Sequence, residues 1–262
     1  MNRTGLFVAL GIGLVVGLIC AVDPQLDLDI AGISFDVKRQ VFNVNAQLWV
    51  RHARDAARLV ITLLALPAFL AVLGKLVMPH RRMLIEGRSA LFLIATLALG
   101  PGVVTNVILK EHWGRSRPID VTQFGGTDRF MPWWDPRGDC ADNCSFIAGE
   151  PSGAFWTLAP AALAPIELQP VAYGAALAFG VAVGALRIAG GAHFFSDVVF
   201  AGVLTYLLIW TAYGYIYRWP ATRISEEAIE AFLLRCGDAI RAGLASLASL
   251  VGRLTDRSPR KP

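Results

Sequence analysis

Charge is what this sequence has least of. Asp, Glu, Lys and Arg make up 17% of its 262 residues, against roughly 25% in an ordinary soluble domain. Apolar residues make up 55%. They are not scattered as a soluble core requires but come in blocks near the roughly 20 residues that cross a bilayer as a helix. The net charge of +4 is too small to argue for nucleic acid. In a membrane chain, basic residues first report orientation. Cysteine is also scarce, at four residues. Cys20 and Cys236 are isolated. Cys140 and Cys144 lie close together in a polar stretch, which allows a disulfide if that stretch is extracytoplasmic. A metal pair is the alternative, with no second Cys or His pair at zinc spacing to support it.

The apolar blocks run over Leu6–Val22, Leu59–Met78, Ala90–Leu109, Ala154–Ile166, Val171–Ile188 and Val198–Tyr217. They predict an all-α membrane bundle of about six transmembrane helices. The first block has a secretory signal peptide as its rival reading, but no small-x-small cleavage site stands clearly at its end. The fourth block is the weakest, because a Trp and prolines blur its ends. Trp210, Tyr213, Tyr215 and Tyr217 fit an interfacial aromatic belt.

The link between the second and third blocks carries His80, Arg81, Arg82 and Arg88 against one acid, Glu86. The positive-inside rule makes it cytoplasmic. Both termini then lie inside, and segments 23–58, 110–153 and 189–197 lie outside. Residues 1–218 form the membrane domain and 219–262 a cytoplasmic tail. In that tail Ser225 is a helix N-cap candidate followed by Glu226 and Glu227. Apolar residues from Ile229 to Leu254 then recur at helical spacing. An amphipathic helix on the inner leaflet and a partner helix are both open readings. Arg257 to Pro262 is expected to be disordered.

Three places break the apolar pattern, all on the predicted outer side, where ionisable residues near the membrane point to function. The first is Lys110 to Pro118. Lys110 and Arg117 are seven apart, about two helical turns, and two cations suit a phosphoryl group. A basic loop end touching lipid headgroups is the plainer reading. The second is Arg187, His193 and Asp197. A carboxylate four residues after a His can fix its tautomer if a helix begins before it. The neutral imidazole is then a nucleophile towards phosphorus, with Arg187 neutralising the phosphate. A helix-capping His–Asp pair is the alternative. The third is Cys144 to Trp156. Small residues at a helix start offer N–H groups to an anion, and Glu150 is a candidate proton donor. A plain cap is the alternative there.

Together these segments resemble the type 2 phosphatidic acid phosphatase superfamily. Its three blocks are Lys-x6-Arg-Pro, Pro-Ser-Gly-His and Ser-Arg-x5-His-x3-Asp. Lys110 to Pro118 matches the first. Arg187, His193 and Asp197 match the third, with Leu186 in place of its Ser. The middle block departs. In one register Pro151-Ser152-Gly153-Ala154 lacks the His. In the other, framed by Ser145-Phe146 and Ala154-Phe155, Glu150 takes the His position, as in a subgroup of bacterial members similar to lipid A phosphatases.

The resemblance implies a metal-independent phosphatase without cofactor in a bacterial inner membrane, its site facing the periplasm or exterior. His193 attacks phosphorus, Asp197 orients it, and Glu150 protonates the leaving group. Lys110, Arg117, Arg187, Gly149 and Ser152 hold the phosphate. The substrate is a lipid phosphate: lipid A, a polyprenyl diphosphate or a glycerophospholipid phosphate. A catalytically impaired lipid-phosphate-binding protein is the alternative, supported by the altered middle block. A transporter has little support, because the charges gather at one interface and not at the midplane.

Overall fold

Long apolar segments become helices in lipid because each backbone N–H and C=O must find its partner within the segment. The computed structural model describes residues 1–255. The expected disordered end, Arg257 to Pro262, lies outside them. Helix α1 (Arg3–Val22) starts at Asn2, whose Oδ1 accepts from Gly5 N at 2.9 Å. Gly5, Ala9, Gly13 and Gly17 recur every four residues. Gly13 and Gly17 face Val203 and Phe200. A stripe of small residues lets two helices approach closely.

Helix α2 (Gln25–Gly32) and a two-stranded hairpin, β1 (Phe35–Asp36) with β2 (Val41–Phe42), follow. Phe35 stands opposite Phe42, and both rings meet Phe124. This hairpin is a small departure from an all-helical chain. Helix α3 spans Leu48–Val77. Helix α4 (Gly87–Leu97) continues through wider π-type turns, Ala98–Leu109, into α5 (Lys110–His112). Within those turns Asn106 Nδ2 donates to the Pro101 carbonyl at 2.6 Å.

After a long loop come α6 (Gly149–Phe155), α7 (Leu158–Ala162), α8 (Gln169–Ala189), α9 (Phe195–Tyr213) and α10 (Glu226–Thr255). Among the described residues five helices are long and apolar enough to cross a membrane: Arg3–Val22, Leu48–Val77, Gly87–His112, Gln169–Ala189 and Phe195–Arg218.

The fourth expected block, Ala154–Ile166, is not a sixth such helix. Its helical stretch starts earlier and is broken into the pair α6 and α7. Pro160 has no N–H for the Trp156 carbonyl, which accepts from Ala159 N at 2.8 Å instead. Most of this pair is buried, and Trp156 fills the bundle centre with its Nε1 donating to Thr96 Oγ1 at 3.0 Å. A broken helix is tolerated at membrane depth where protein surrounds it.

The two ends of the bundle differ. At one end Arg218 donates to the Met1 carbonyl at 3.2 Å. Glu226 of α10 there accepts the N–H groups of Gly87 and Arg88, capping α4. That end holds the N-terminus, the basic link after α3 and the start of α10. Lys110, Glu150, Arg187 and His193 gather at the other.

Candidate functional site

Helix α9 begins one residue after Phe194, so His193 precedes the helix. The turn before it needs Gly191, whose φ is +69°, and a Cβ there would collide with the Phe42 ring. His193 is 2% exposed. Its Nδ1 lies 2.8 Å from the Ser145 carbonyl oxygen and 3.9 Å from Asp197 Oδ2. A carbonyl only accepts, so Nδ1 carries the proton and Nε2 keeps its lone pair. Burial pushes the imidazole well below its ordinary 6.5, and Arg187, Lys110 and Arg117 push it the same way. His193 is therefore neutral at neutral pH.

Asp197 is fully buried and crowded with donors. Its Oδ2 accepts from Ser145 Oγ at 2.5 Å and from Phe194 N at 2.8 Å. Its Oδ1 pairs with Arg115 Nη1 at 2.5 Å. Arg115 also reaches Asp27 Oδ2 at 2.8 Å, and Asp27 in turn takes Ser196 N at 2.9 Å. The guanidinium lies over the Phe194 ring at 4.4 Å. A carboxylate–guanidinium–carboxylate chain thus ties α2, the loop and α9 together beneath His193. Asp197 both caps α9 and joins this chain, while the Ser145 carbonyl makes the direct bond to Nδ1.

Lys110 and Arg117 do not converge by helical spacing. The helix ends at His112, and Gly114, with φ +71°, turns the chain. Lys110 Nζ donates to Asn143 Oδ1 at 2.8 Å and Arg117 Nη2 to the Asn143 carbonyl at 2.7 Å. Asn143 lies between Cys140 and Cys144, which form a disulfide. Gly149 opens α6 beside Lys110, with Cε of the lysine 3.4 Å from where its Cβ would stand.

Glu150 accepts a bidentate pair from Arg54, Nε at 3.0 Å and Nη2 at 2.5 Å. Arg187 Nε stands 3.5 Å from Oε2, the oxygen that Arg54 Nε also reaches. Burial pushes the Glu150 carboxyl up, but the Arg54 bonds and the charges of Arg187 and Arg54 outweigh it and leave it below its ordinary range. Ser152 is apart from this group. Its hydroxyl lies 3.0 Å from Thr105 Oγ1 and 2.8 Å from Thr205 Oγ1, fully buried between helices.

The structure thus brings together His193, Asp197, Lys110, Arg117, Arg187, Gly149 and Glu150, and leaves Ser152 in the core. The expected readings did not include Arg115, Asp27, Ser145, Asn143 or Arg54. Arg54 had a signal: Arg51, Arg54 and Arg58 recur at helical spacing at the head of an apolar span. Asp27 had none that separates it from its acidic neighbours.

The aromatic residues of loop 119–143 turn mostly inward. Trp133 Nε1 donates to the Gly17 carbonyl at 3.0 Å, and Phe130 packs on Phe194. Trp134 remains half exposed.

A bundle with five helices apolar and long enough to cross a membrane, and with His193 near Lys110, Arg117 and Arg187 at one end, defines the class as a helical membrane protein. The chain belongs to the PAP2 superfamily, whose family model matches residues 89–221. It is 36% identical over 197 residues to a lipid A 4'-phosphatase of Francisella tularensis subsp. novicida, covering 74% of this chain and 88% of that protein. A lipid A 4'-phosphatase of Rhizobium leguminosarum is 39% identical over 119 residues, covering 45% of this chain and 51% of its own. One from Rhizobium etli is 37% identical over 119 residues, covering 45% of this chain and 46% of its own. No solved structure matches the chain.

Proposed function

We propose that the protein is a metal-independent phosphatase of a bacterial inner membrane, acting on a lipid A-type sugar phosphate at the outer face. The observation that carries this reading is the neutral His193, its Nδ1 proton held by Ser145 and its surroundings set by Arg187, Lys110 and Arg117. Nε2 attacks phosphorus, the bond to the lipid oxygen breaks, and a proton from Glu150 goes to that oxygen. Water then attacks the phosphohistidine, its proton going to the Glu150 carboxylate, which releases phosphate and restores both the imidazole and the acid. Lys110, Arg117, Arg187 and the Gly149 N–H stabilise the charge that builds on the phosphoryl oxygens. The relatives named for lipid A support the substrate class. The disulfide beside Lys110 supports an extracytoplasmic face, since such bonds persist in oxidising compartments. The basic link after α3, at the opposite end of the bundle, supports the same orientation.

A second reading rests on the Arg54–Glu150 pair. Glu150 held ionised gives no proton, which favours a protein that binds lipid phosphates without turnover. Phosphate release from lipid A by the detergent-purified protein separates the two. Release that disappears in His193→Ala supports the phosphatase. Binding without release supports the second.

A further inference from the structure

The phosphate ligands expected from the sequence lie within or beside the stretch 89–221 that defines the family. Arg54 lies outside it, on α3, and nothing in the mechanism above uses it. Yet it enters the same place. A cavity of about 330 Å³ is walled by Arg54, Arg58, Lys110 and Glu150 on its polar side and by Ile61 and Leu97 on its apolar side. On its wall the carboxylate of Glu150 fills the fork of Arg54, and its Oε2 stands 3.5 Å from Arg187 Nε, beyond the cavity lining. That Nε is buried and has no hydrogen-bond partner among the described residues. An anionic group bridging α3 and α8 is thus built into the fold, and the protein's own carboxylate occupies it.

We propose that Arg54 is a substrate-binding residue, a further cation for the phosphoryl group, and that Glu150 holds its fork until the phosphate of a lipid takes it. The proposal rests on the reading of His193 and its cations as a phosphate site. A phosphate presents the same two-oxygen edge as a carboxylate and carries more charge, so it competes well for a guanidinium fork. Groups facing Glu150 are Arg54 and Arg58 from α3, Arg187 from α8 and, nearby, Lys110. Once Arg54 and Arg187 turn to the phosphate, Glu150 loses the cations that keep it ionised. It can then take a proton from solvent water and pass it to the leaving oxygen. The pair that weakens Glu150 as an acid while Arg54 is engaged is, on this account, the device that readies it when substrate arrives.

The test measures equilibrium binding of inorganic phosphate to the full-length, detergent-purified protein at neutral pH. Arg54→Ala is expected to weaken binding by about tenfold or more, the loss of a charge-assisted pair. Glu150→Gln is expected to tighten it several-fold, because the competing carboxylate is gone. Opposite changes from the two partners of one ion pair are what competition predicts and a purely structural link does not. Arg54→Ala binding as tightly as wild type, Glu150→Gln binding more weakly, or a wild-type protein that binds no phosphate each overturns the proposal. Should Arg54→Ala fail to fold, Glu150→Gln alone still decides. The expected binding changes in a protein that hydrolyses no lipid A would contradict the phosphatase reading and leave the role of Arg54 standing.

Discussion

Arg115 Nη1 lies 2.5 Å from Asp197 Oδ1, and both side chains are fully buried. Asp27 holds the other side of the guanidinium. Removing one partner of a buried ion pair leaves uncompensated charge, at a cost of about 3–5 kcal/mol. Arg115→Met strands two carboxylates and is expected to lower the thermal midpoint in detergent markedly. Asp27→Asn keeps the hydrogen-bonding shape and is expected to cost much less. Equal losses from the two variants would show that charge is not what the chain of contacts supplies.

The pH dependence follows from His193. Its native value lies well below 6.5, so the imidazole stays unprotonated as pH falls through that point. The predicted kcat/KM therefore shows no acid fall centred near 6.5. A fall there would mean a solvated, ordinary histidine. Stability has a definite sign as well. Between the native and unfolded values the unfolded chain binds the extra proton, so the His193 contribution makes stability fall as pH drops through that window.

Asn143 holds both Lys110 and Arg117 from within the Cys140–Cys144 loop. The double variant Cys140→Ser with Cys144→Ser frees that loop. It is expected to raise KM several-fold with a smaller effect on kcat. Unchanged kinetics would show that Asn143 keeps its position without the bond.

Two registers of the middle block make different demands. Ser152 bonds Thr105 and Thr205 in the core, whereas Glu150 stands among the cations. Glu150→Gln is expected to slow turnover on lipid A by roughly 10²–10⁴-fold, the usual range for general acid help. Ser152→Ala is expected to cost stability of about 1 kcal/mol and to leave turnover within about twofold. The reverse ranking would restore Ser152 as the phosphate-binding residue.

Much of this arrangement was legible in the sequence, for identifiable reasons. Apolar runs give spans because lipid leaves a chain no other way to satisfy its backbone. His193 and Asp197 stand four apart and come within 3.9 Å, but α9 starts after His193 and the direct bond to its Nδ1 is made by the Ser145 carbonyl, 48 positions away. The fourth block, Ala154–Ile166, reads as one span in the sequence but is the broken pair α6 and α7, because Pro160 splits it and it is buried against protein. The convergence of Lys110 and Arg117 was expected from helical spacing but is made by Asn143 across a folded loop. Arg115, Asp27 and Arg54 act through partners about 80 to 100 positions away, so local spacing, which marks Arg54 itself, does not name those partners.

The central claim is that phosphate passes through His193. The direct measurement is to quench the protein during turnover of lipid A labelled with radioactive phosphate, and to look for label on the chain that is stable to base and lost in acid. The account predicts such label on wild-type protein at His193, and none on His193→Ala. Phosphate release with no labelled chain at any time, or label that persists in His193→Ala, would contradict it.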